Sequence, residues 1–362
     1  MHKSPLIAEL RAYWTAEAAT RQLPGWRQFV EMVLLYLLRR IGPRYYLQAR
    51  WGRRSIRFRD KWTHVNRPEY LAVINRLNPS AYHKASQHKL IEKSLLTLQN
   101  LPTPRFIGYV HPHRGRSADG LPLRSAQQVE SLLSHHDGEI VCFKLVEGWG
   151  GMGFISFLVR RRNEVVELLR DDGEPPLCVA HWWETFGRTP GGFVVEAYLA
   201  QHADLAALNK TSVNTVRVWV IILSDGSAKI LGAYLRVGRA GSQVDNISSG
   251  GIVCQVSVDS GKVTEAFDPR RPGDTLAFHP DSGAMLTGFV VPQWDEAKAL
   301  AIEALLAFPN VRLAGLDIAF GTTRPTIIEL NVMADYIGCA WMDLPLKQVS
   351  ASEVGHRSRS GR

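Results

Sequence analysis

Cysteine is scarce in this chain of 362 residues: it has four, Cys142, Cys178, Cys254 and Cys339. No two of them form a CxxC pair. A disulfide framework and a structural zinc site both need clustered or regularly spaced cysteines. The sequence therefore indicates neither, and a reducing, cytoplasmic setting fits it best.

Long hydrophobic runs are also lacking. The most apolar stretch, Phe29 to Leu38, is interrupted by Glu31 and closed by Arg39 and Arg40. A transmembrane helix needs about 20 predominantly apolar residues. This stretch is shorter, so it predicts a buried or interfacial helix. Residues 1–28 lack the continuous apolar core of a signal peptide, and we expect none there.

Acidic residues are sparse at the front of the chain. Residues 1–90 hold 17 Lys and Arg against 5 Asp and Glu, a balance of +12, whereas the whole chain carries +9. Such a segment favours an anionic surface, nucleic acid or a phosphorylated substrate, although an ordinary solvated surface explains it equally well. Its aromatic residues are too sparse for a base-stacking platform, so we expect no nucleic-acid partner.

The rest of the chain mixes helices with turn-connected strand pairs, which predicts an α+β fold. Residues 1–80 are predicted to be mainly helical, and residues 350–362 are polar enough to be disordered. Further helices are predicted at 84–100, 127–133 and 295–307. Strands are predicted at 106–110, 139–146, 154–160, 193–198, 212–223, 229–237, 252–258, 313–320 and 326–331.

A lysine at the end of an apolar strand, Lys144, precedes a loop dense in glycine. The glycines are Gly148, Gly150, Gly151 and Gly153. Glycine lets backbone N–H groups approach phosphate oxygens closely, and the lysine adds a point charge. No Gly-Lys-Ser/Thr closes the loop, and the lysine precedes the glycines, so it is neither a Walker A motif nor a dinucleotide fingerprint. Taken alone, such a hairpin is as often a purely structural turn as a phosphate-binding loop.

Oxygen-bearing side chains collect on the last predicted strand pair. Glu329 and Asn331 are two residues apart and therefore point to one face, and Asp317 lies on the preceding strand. Three oxygen ligands on one surface suit Mg²⁺, which also takes water and substrate phosphates. A solvated polar face is the alternative.

Two further basic features point to an anion. Arg217 lies within the apolar strand Thr215-Val216-Arg217-Val218, where an unpaired charge is costly. It must therefore meet a structural carboxylate or a phosphate, and the sequence leaves both open. The loop at 244–251, preceded by Arg236 and Arg239, is a weaker signal of a segment that closes on an anionic group.

Together these motifs resemble the ATP-grasp superfamily, most closely its sugar-transfer-associated branch, which is related to glutathione synthetase-like α-L-glutamate ligases. The resemblance covers roughly residues 80–340. It rests on Lys144 with Gly148, Gly151 and Gly153 at +4, +7 and +9, and on five other segments. These are 193–202, 212–218, 279–283, 288–292 and 328–331.

The resemblance implies an ATP-grasp fold, in which two α+β lobes grip ATP. The implied domains are a basic, mainly helical region at 1–80, the ATP-grasp domain at 81–340 and a tail at 341–362. Residues 139–200 would form a lid-like subdomain that carries the glycine-rich loop.

The resemblance also implies how ATP is bound. Lys89 would reach a phosphate, in a motif where His88 stands at the family's usual aspartate. Lys144 would contact the α and β phosphates under the glycine-rich loop, and Asp204 would contact the ribose. The implied adenine hinge consists of Glu196, Ala197, Tyr198 and Leu199.

The implied catalytic and substrate groups come from the second half of the chain. Arg217 would face the γ-phosphate and an acyl phosphate. Asp317, Glu329 and Asn331 would hold one or two Mg²⁺ ions, with Mn²⁺ as a substitute. The implied acceptor-site residues are Arg236, Arg239, Asn246, Gly250 and Gly251.

The implied activity is that of an ATP-dependent carboxylate–amine ligase that works through an acyl phosphate, with small-molecule substrates. The name of the branch suggests a role in making cell-surface polysaccharide. A phosphotransferase acting on a non-carboxylate acceptor and a non-catalytic nucleotide-binding module are the alternatives. The basic front segment is the candidate for peripheral contact with an anionic surface. The sequence gives no indication of the oligomeric state.

Overall fold

The N-terminal region is helical, as predicted. A computed structural model describes residues 22–148, 153–163, 165–171 and 173–349. Its first helices are α1 (Gly25–Arg39), α2 (Pro43–Gln48), α3 (Phe58–Lys61), α4 (Arg67–Leu77), α5 (Lys84–Gln87) and α6 (Lys89–Leu98). The single helix predicted at 84–100 is instead α5 and α6, because His88 adopts an extended conformation (φ −117°, ψ 104°) between them. Residues 1–21 lie outside the described part.

The first sheet is antiparallel and has the order β2-β1-β7-β3-β4-β5-β6. Its strands are β1 (Phe106–Val110), β2 (Arg116–Ser117), β3 (Ile140–Leu145), β4 (Phe154–Arg162), β5 (Val165–Leu169), β6 (Leu177–Cys178) and β7 (Phe193–Ala197). Helices α7 (Ala126–Leu133) and α8 (Val179–Trp182) pack on it. The rings of Phe143, Phe157 and Trp182 meet in this core, and the Phe143–Trp182 centroids lie 4.6 Å apart.

The second sheet is also antiparallel, with the order β11-β10-β9-β8-β12-β13. Its strands are β8 (Thr215–Ile222), β9 (Ala228–Val237), β10 (Ile252–Val256), β11 (Val263–Phe267), β12 (Leu313–Phe320) and β13 (Pro325–Asn331). The remaining helices are α9 (Ala203–Leu208), α10 (Trp294–Leu306) and α11 (Tyr336–Trp341). Two antiparallel sheets with packed helices confirm the α+β prediction.

Each face of the second sheet has its own core, because side chains alternate along a strand. Val216, Val218 and Val220 of β8 pack with α10. Trp219 and Ile221 point to the other face, against the N-terminal helices. The even-numbered positions of β8 therefore anchor α10, and Trp219 and Ile221 pack against the N-terminal region.

The N-terminal region is fastened to the second sheet by buried polar contacts. Asn78 donates to the carbonyl oxygens of Leu313 and Val332, at 2.7 and 2.8 Å. Trp341, Leu344 and Leu346 belong to the same core. The boundaries at residues 80 and 340 stay predictions, and these contacts run across both of them.

Candidate functional site

A cleft of about 920 Å³, part of it open to solvent, lies between the two sheets. Ligand sites typically fall at about 300–1,000 Å³ and occur between lobes. Of the residues predicted to form the site, those that line the cleft are Lys89, Lys144, Gly148, Glu196, Ala197, Tyr198, Leu199, Arg236, Asn246, Asp317 and Glu329. Residues far apart in the sequence thus meet at one place.

The wall formed by the first sheet carries a lysine pair that shares one carboxylate. Strands β3 and β7 are neighbours, and Lys144 Nζ lies 2.6 Å from Glu196 Oε2. Lys93 of α6 lies 2.5 Å from Glu196 Oε1 and also donates to the carbonyl oxygen of Pro104. Because Glu196 is 3% exposed, this carboxylate holds both ammonium groups in a fixed position.

The charges of this group support one another. Burial alone disfavours the Lys144 ammonium, but Glu196 outweighs that effect and leaves the pKa of Lys144 above its ordinary value. Burial likewise opposes ionisation of Glu196, and Lys144 and Lys93 bring the pKa of that carboxyl below its ordinary value. A permanent cation therefore stands on the cleft wall at neutral pH.

The start of α6 is joined to the glycine-rich loop. Lys89 Nζ donates to the Gly148 carbonyl oxygen at 2.9 Å and lies 3.4 Å from Glu329 Oε1. Gly153 closes the loop with φ +70°, and a Cβ there would fall 2.2 Å from Leu145 Cδ1, so only glycine fits. Lys89 thus links the loop to the second sheet. Gly150 and Gly151 lie outside the described residues.

The wall formed by the second sheet carries a row of charged side chains across three strands. Arg217, Asp317 and Glu329 are direct cross-strand partners on β8, β12 and β13. Arg217 Nε and Nη2 donate to the two Asp317 carboxylate oxygens at 2.6 and 2.7 Å. The bidentate pair uses the fork of the guanidinium, and Glu329 remains beside it on the cleft.

Arg236 extends this network on β9. Its Nη2 donates to Asp317 Oδ2 at 2.9 Å and to Thr215 Oγ1 at 2.6 Å. Asp245 accepts from both the Thr215 backbone N–H, at 2.9 Å, and the Thr215 hydroxyl, at 2.5 Å. Arg236 lines the cleft. Arg217 does not line it, but it contacts Asp317, which does.

The two arginines keep Asp317 ionised. Burial would raise the pKa of Asp317, but Arg217 and then Arg236 outweigh it, so the pKa lies below its ordinary value. Asp245 differs, because burial dominates over Arg236 and raises its pKa. Carboxylates with pKa values driven apart by their surroundings are typical of functional sites.

A second, polar cavity adjoins the cleft at Gly148 and Glu329, which line both. Asn331 lines the second cavity, and its buried Nδ2 has no hydrogen-bond partner among the described atoms. A buried amide nitrogen normally donates a hydrogen bond, so this one could donate to a bound ligand. Glu329 and Asn331 point to the same side of β13, as predicted.

Several predicted residues do not line the cleft. Asp204, in the first turn of α9, is exposed. Arg239 instead holds Asp281 through two bonds of 2.7 Å. Gly251 packs where a Cβ would meet the Asp245 carbonyl oxygen at 2.3 Å, and Gly250 has φ +92°. The two glycines shape the loop that presents Asp245, and the ligand contacts predicted for these residues stay predictions.

Three residues of the site were not predicted. Lys93 lies one helical turn after Lys89, so the i, i+4 spacing could have placed both on one face of α6. Thr215 and Asp245 occur in motifs that the sequence analysis singled out, but their mutual contact spans 30 residues. The contact depends on how the loop after β9 folds back onto β8.

Two antiparallel sheets that meet across a cleft lined by lysine, arginine and carboxylate groups are the arrangement of an ATP-grasp protein. The chain matches the profile of the sugar-transfer associated ATP-grasp family over residues 71–346. Because that match covers well over half of the 362 residues, the chain belongs to this family. A comparison with curated proteins finds no match.

Solved structures with a similar chain course include a biotin carboxylase–βγ-ATP complex from Campylobacter jejuni, at TM-score 0.44 and 14% identity. That match covers 76% of this chain and 48% of the other. N5-carboxyaminoimidazole synthetase from Staphylococcus aureus, complexed with ADP, gives TM-score 0.39, 11% identity and coverages of 70% and 47%. An L-amino acid ligase from Bacillus licheniformis gives 0.39, 12%, 75% and 51%.

The chain thus spans about half the length of these solved structures. Their TM-scores lie below 0.5 and their identities below 15%. Family membership therefore rests on the family profile and on the fold, and the function of this chain has to be argued from its own cleft.

Proposed function

We propose that the protein is a cytoplasmic ATP-dependent ligase that activates a carboxylate as an acyl phosphate and joins it to an amine. The observation that carries this proposal is the meeting of Lys144, Arg236, Asp317 and Glu329 in one cleft between two sheets. Cations on both walls suit a triphosphate, and carboxylates on one wall suit its metal. Both substrates would be small molecules, because the cleft is small.

The nucleotide would lie with its base at the end of β7. The backbone N–H groups of Ala197 and Tyr198 donate to the carbonyl oxygens of Arg105 and Ile140, at 2.9 and 3.0 Å. The adenine would therefore contact Leu199 and the backbone carbonyl oxygens of the hinge. Lys144, held by Glu196, would then meet the α and β phosphates without needing to reorient.

Arg236 would stand at the γ-phosphate end. A substrate carboxylate oxygen attacks the γ-phosphorus, the bond to the ADP oxygen breaks, and charge develops on the transferring group. Cations that are already in place stabilise that charge at no cost of reorganisation. The amine then attacks the acyl carbon and releases phosphate. Closure of the lobes would protect the acyl phosphate from water.

A divalent cation fits the donor set of this site. Glu329 and Asp317 are cross-strand partners that supply carboxylate oxygens, and Asn331, two residues after Glu329, supplies a side-chain amide oxygen. Mg²⁺ prefers such oxygen ligands and would neutralise phosphate charge when bound. Glu329 and Asn331 would be its principal ligands. Asp317 would contribute through lone pairs that the arginines leave open, and Mn²⁺ would substitute.

Among the described residues that line the cleft, the thiol of Cys142 is not activated as a nucleophile. Cys142 lines the wall, but burial raises the pKa of its thiol to about 12, so it stays protonated at neutral pH. A reactive cysteine needs a lowered pKa. Direct transfer from ATP to the substrate is therefore the route that the residues support.

The acceptor would bind near Asn246 and Gln243, which line the cleft close to Arg236. We further propose that the reaction joins an amino acid to a sugar acid in the synthesis of a surface polysaccharide.

We also propose that the basic N-terminal segment contacts an anionic surface.

An ADP-release assay on the purified full chain tests this function. Amino acids are paired with sugar acids in the presence of ATP and Mg²⁺. We expect ADP only when a carboxylate and an amine are both present. Hydroxylamine should replace the amine and give a hydroxamate, because it traps acyl phosphates.

The alternatives predict different outcomes in the same assay. ADP formed with a hydroxyl acceptor alone would establish a phosphotransferase, and nucleotide binding without turnover would establish a binding module. The Lys298→Met variant is the matched control. Its lysine pairs with Asp295 on α10, outside the cleft, so its turnover should equal that of the wild type.

A further inference from the structure

Helix α1 turns an apolar face to solvent. Trp26 is 71% exposed and Leu37 is 69% exposed. The α1 apolar face consists of Trp26, Phe29, Val30, Val33, Leu34, Tyr36, Leu37 and Leu38. Contiguous exposed apolar surface of this kind marks an interaction site.

The orientation of α1 is fixed by polar contacts on its buried side. Glu31 pairs with Lys61 and accepts from the Tyr46 hydroxyl at 2.9 Å. Gln28 donates to the Leu23 carbonyl oxygen at 2.7 Å, and Arg39 donates to the His64 carbonyl oxygen at 3.1 Å. Turning the helix to bury its apolar face would break the buried bonds of Glu31 and Arg39, so the face is held outward.

The surroundings of the α1 apolar face are cationic. Apart from Gly25, the other exposed residue of the helix is Arg27, and the exposed Arg40 follows it. Residues 22–80 hold 12 Lys and Arg against 3 Asp and Glu, a balance of +9, although Arg50 and Arg53 of this segment pair with Glu265 of β11. Within residues 24–40 the one acidic residue is Glu31, which is buried. The exposed charges of the helix and of the residue after it are therefore positive, although Arg27 Nε also lies 3.4 Å from the carboxylate of the buried Glu31.

We propose that the α1 apolar face docks on an anionic lipid surface, with the helix lying in the plane of the headgroups. Interfacial helices combine an apolar face, aromatic side chains and flanking basic residues, which anionic lipids attract. At about 1.5 Å per residue, the 15 residues of α1 span about 22 Å, less than a hydrocarbon core of about 30 Å. Among the described helices, none has the length and hydrophobicity to cross a bilayer.

Charge argues against two other occupants of this face. In an antiparallel pair of α1 helices, Arg27 of one copy would approach Arg40 of the other, and like charges oppose such pairing. Residues 1–21 hold three basic and two acidic residues, so they bring no net negative charge to the face. An anionic lipid surface can bury the apolar side chains and attract the positive charges.

Vesicle co-sedimentation of the full chain tests the proposal independently of any turnover. We expect binding to vesicles that contain phosphatidylserine, at least about tenfold weaker binding to pure phosphatidylcholine, and weakening by salt. Phe29→Glu/Leu37→Glu should lower the partition coefficient at least about tenfold. The control is Leu98→Glu, at an exposed apolar position of α6 (75% exposed), and it should bind like the wild type.

Four results would overturn the proposal. The first is failure of the wild type to sediment with anionic vesicles, and the second is a loss of binding in Leu98→Glu as large as that in the double variant. The third is binding that occurs only after residues 1–21 are removed, which would make that segment the occupant. Light scattering that shows a dimer dissociated by Phe29→Glu/Leu37→Glu, without vesicle binding, would assign the face to a second copy.

Discussion

Lys144→Met should lower kcat/KM for ATP by about a hundredfold or more while leaving the protein folded. The ammonium is the charge on the first sheet that meets the phosphates, and removing one such preorganised group typically costs about 10²–10³ in rate. The fold should survive, because Glu196 keeps its contact with Lys93. Steady-state ADP release measures the loss, and a thermal unfolding curve checks the fold.

Lys298→Met removes the same charge from a surface pair and is the control for this experiment. It should change kcat/KM little. If Lys144→Met retained wild-type kcat/KM, Lys144 would have no part in phosphate binding. Equal losses in the two variants would mean that a general effect of charge, rather than the cleft, is being measured.

Asp317→Ala should destabilise the protein by about 3–5 kcal/mol, in addition to any loss of activity. Asp317 is 3% exposed, and its removal leaves the buried guanidinium groups of Arg217 and Arg236 without their shared partner. Breaking a buried ion pair by removing one partner typically costs this much. Urea unfolding at pH 7 measures the change in the free energy of unfolding.

The pH dependence of this contribution follows from the pKa of Asp317. Because Arg217 and Arg236 overcome the effect of burial and hold the folded-state pKa below the ordinary 3.8, the stabilisation is fully present above pH 3.8. It is lost only as the pH falls through the folded-state value. Unfolding at pH 7 therefore reports the whole contribution.

Asp281→Ala provides a matched comparison, because Asp281 also holds an arginine through two bonds. That pair is partly exposed, with side-chain exposures of 31% for Arg239 and 24% for Asp281. Exposed pairs contribute about 0–1 kcal/mol, so the loss should be small. A loss as large as that of Asp317→Ala would show that burial does not distinguish the two pairs.

Local patterns were sufficient to predict many of the elements. The strands at 106–110 and 313–320 coincide with β1 and β12, because alternating apolar residues and adjacent turns mark both ends. The helix predicted at 84–100 was wrong in its continuity, since no local signal at His88 marks the break. The short elements that depend on packing were not predicted: strands β2, β5, β6 and β11 and helices α8, α9 and α11.

The candidate site was predictable where its functional residues are close together in the sequence. Lys144 and its glycines, and Glu329 with Asn331, carry their own spacing signals. Arg217 meets the Asp317 carboxylate, a contact across 100 residues, and its predicted role at the γ-phosphate stays a prediction. No sequence window contains such a contact. The same holds for the orientation of α1, since its apolar stretch predicted either a buried or an interfacial helix.

Calorimetric titration of the wild-type chain with a non-hydrolysable β,γ-imido analogue of ATP, with Mg²⁺ and with EDTA, tests the central claim most directly. We predict that Mg²⁺ strengthens binding. Lys144→Met should weaken binding in both conditions, whereas Glu329→Gln should weaken it only with Mg²⁺, at least about tenfold. Wild-type affinity in both variants would contradict the claim that one magnesium nucleotide lies between the two sheets.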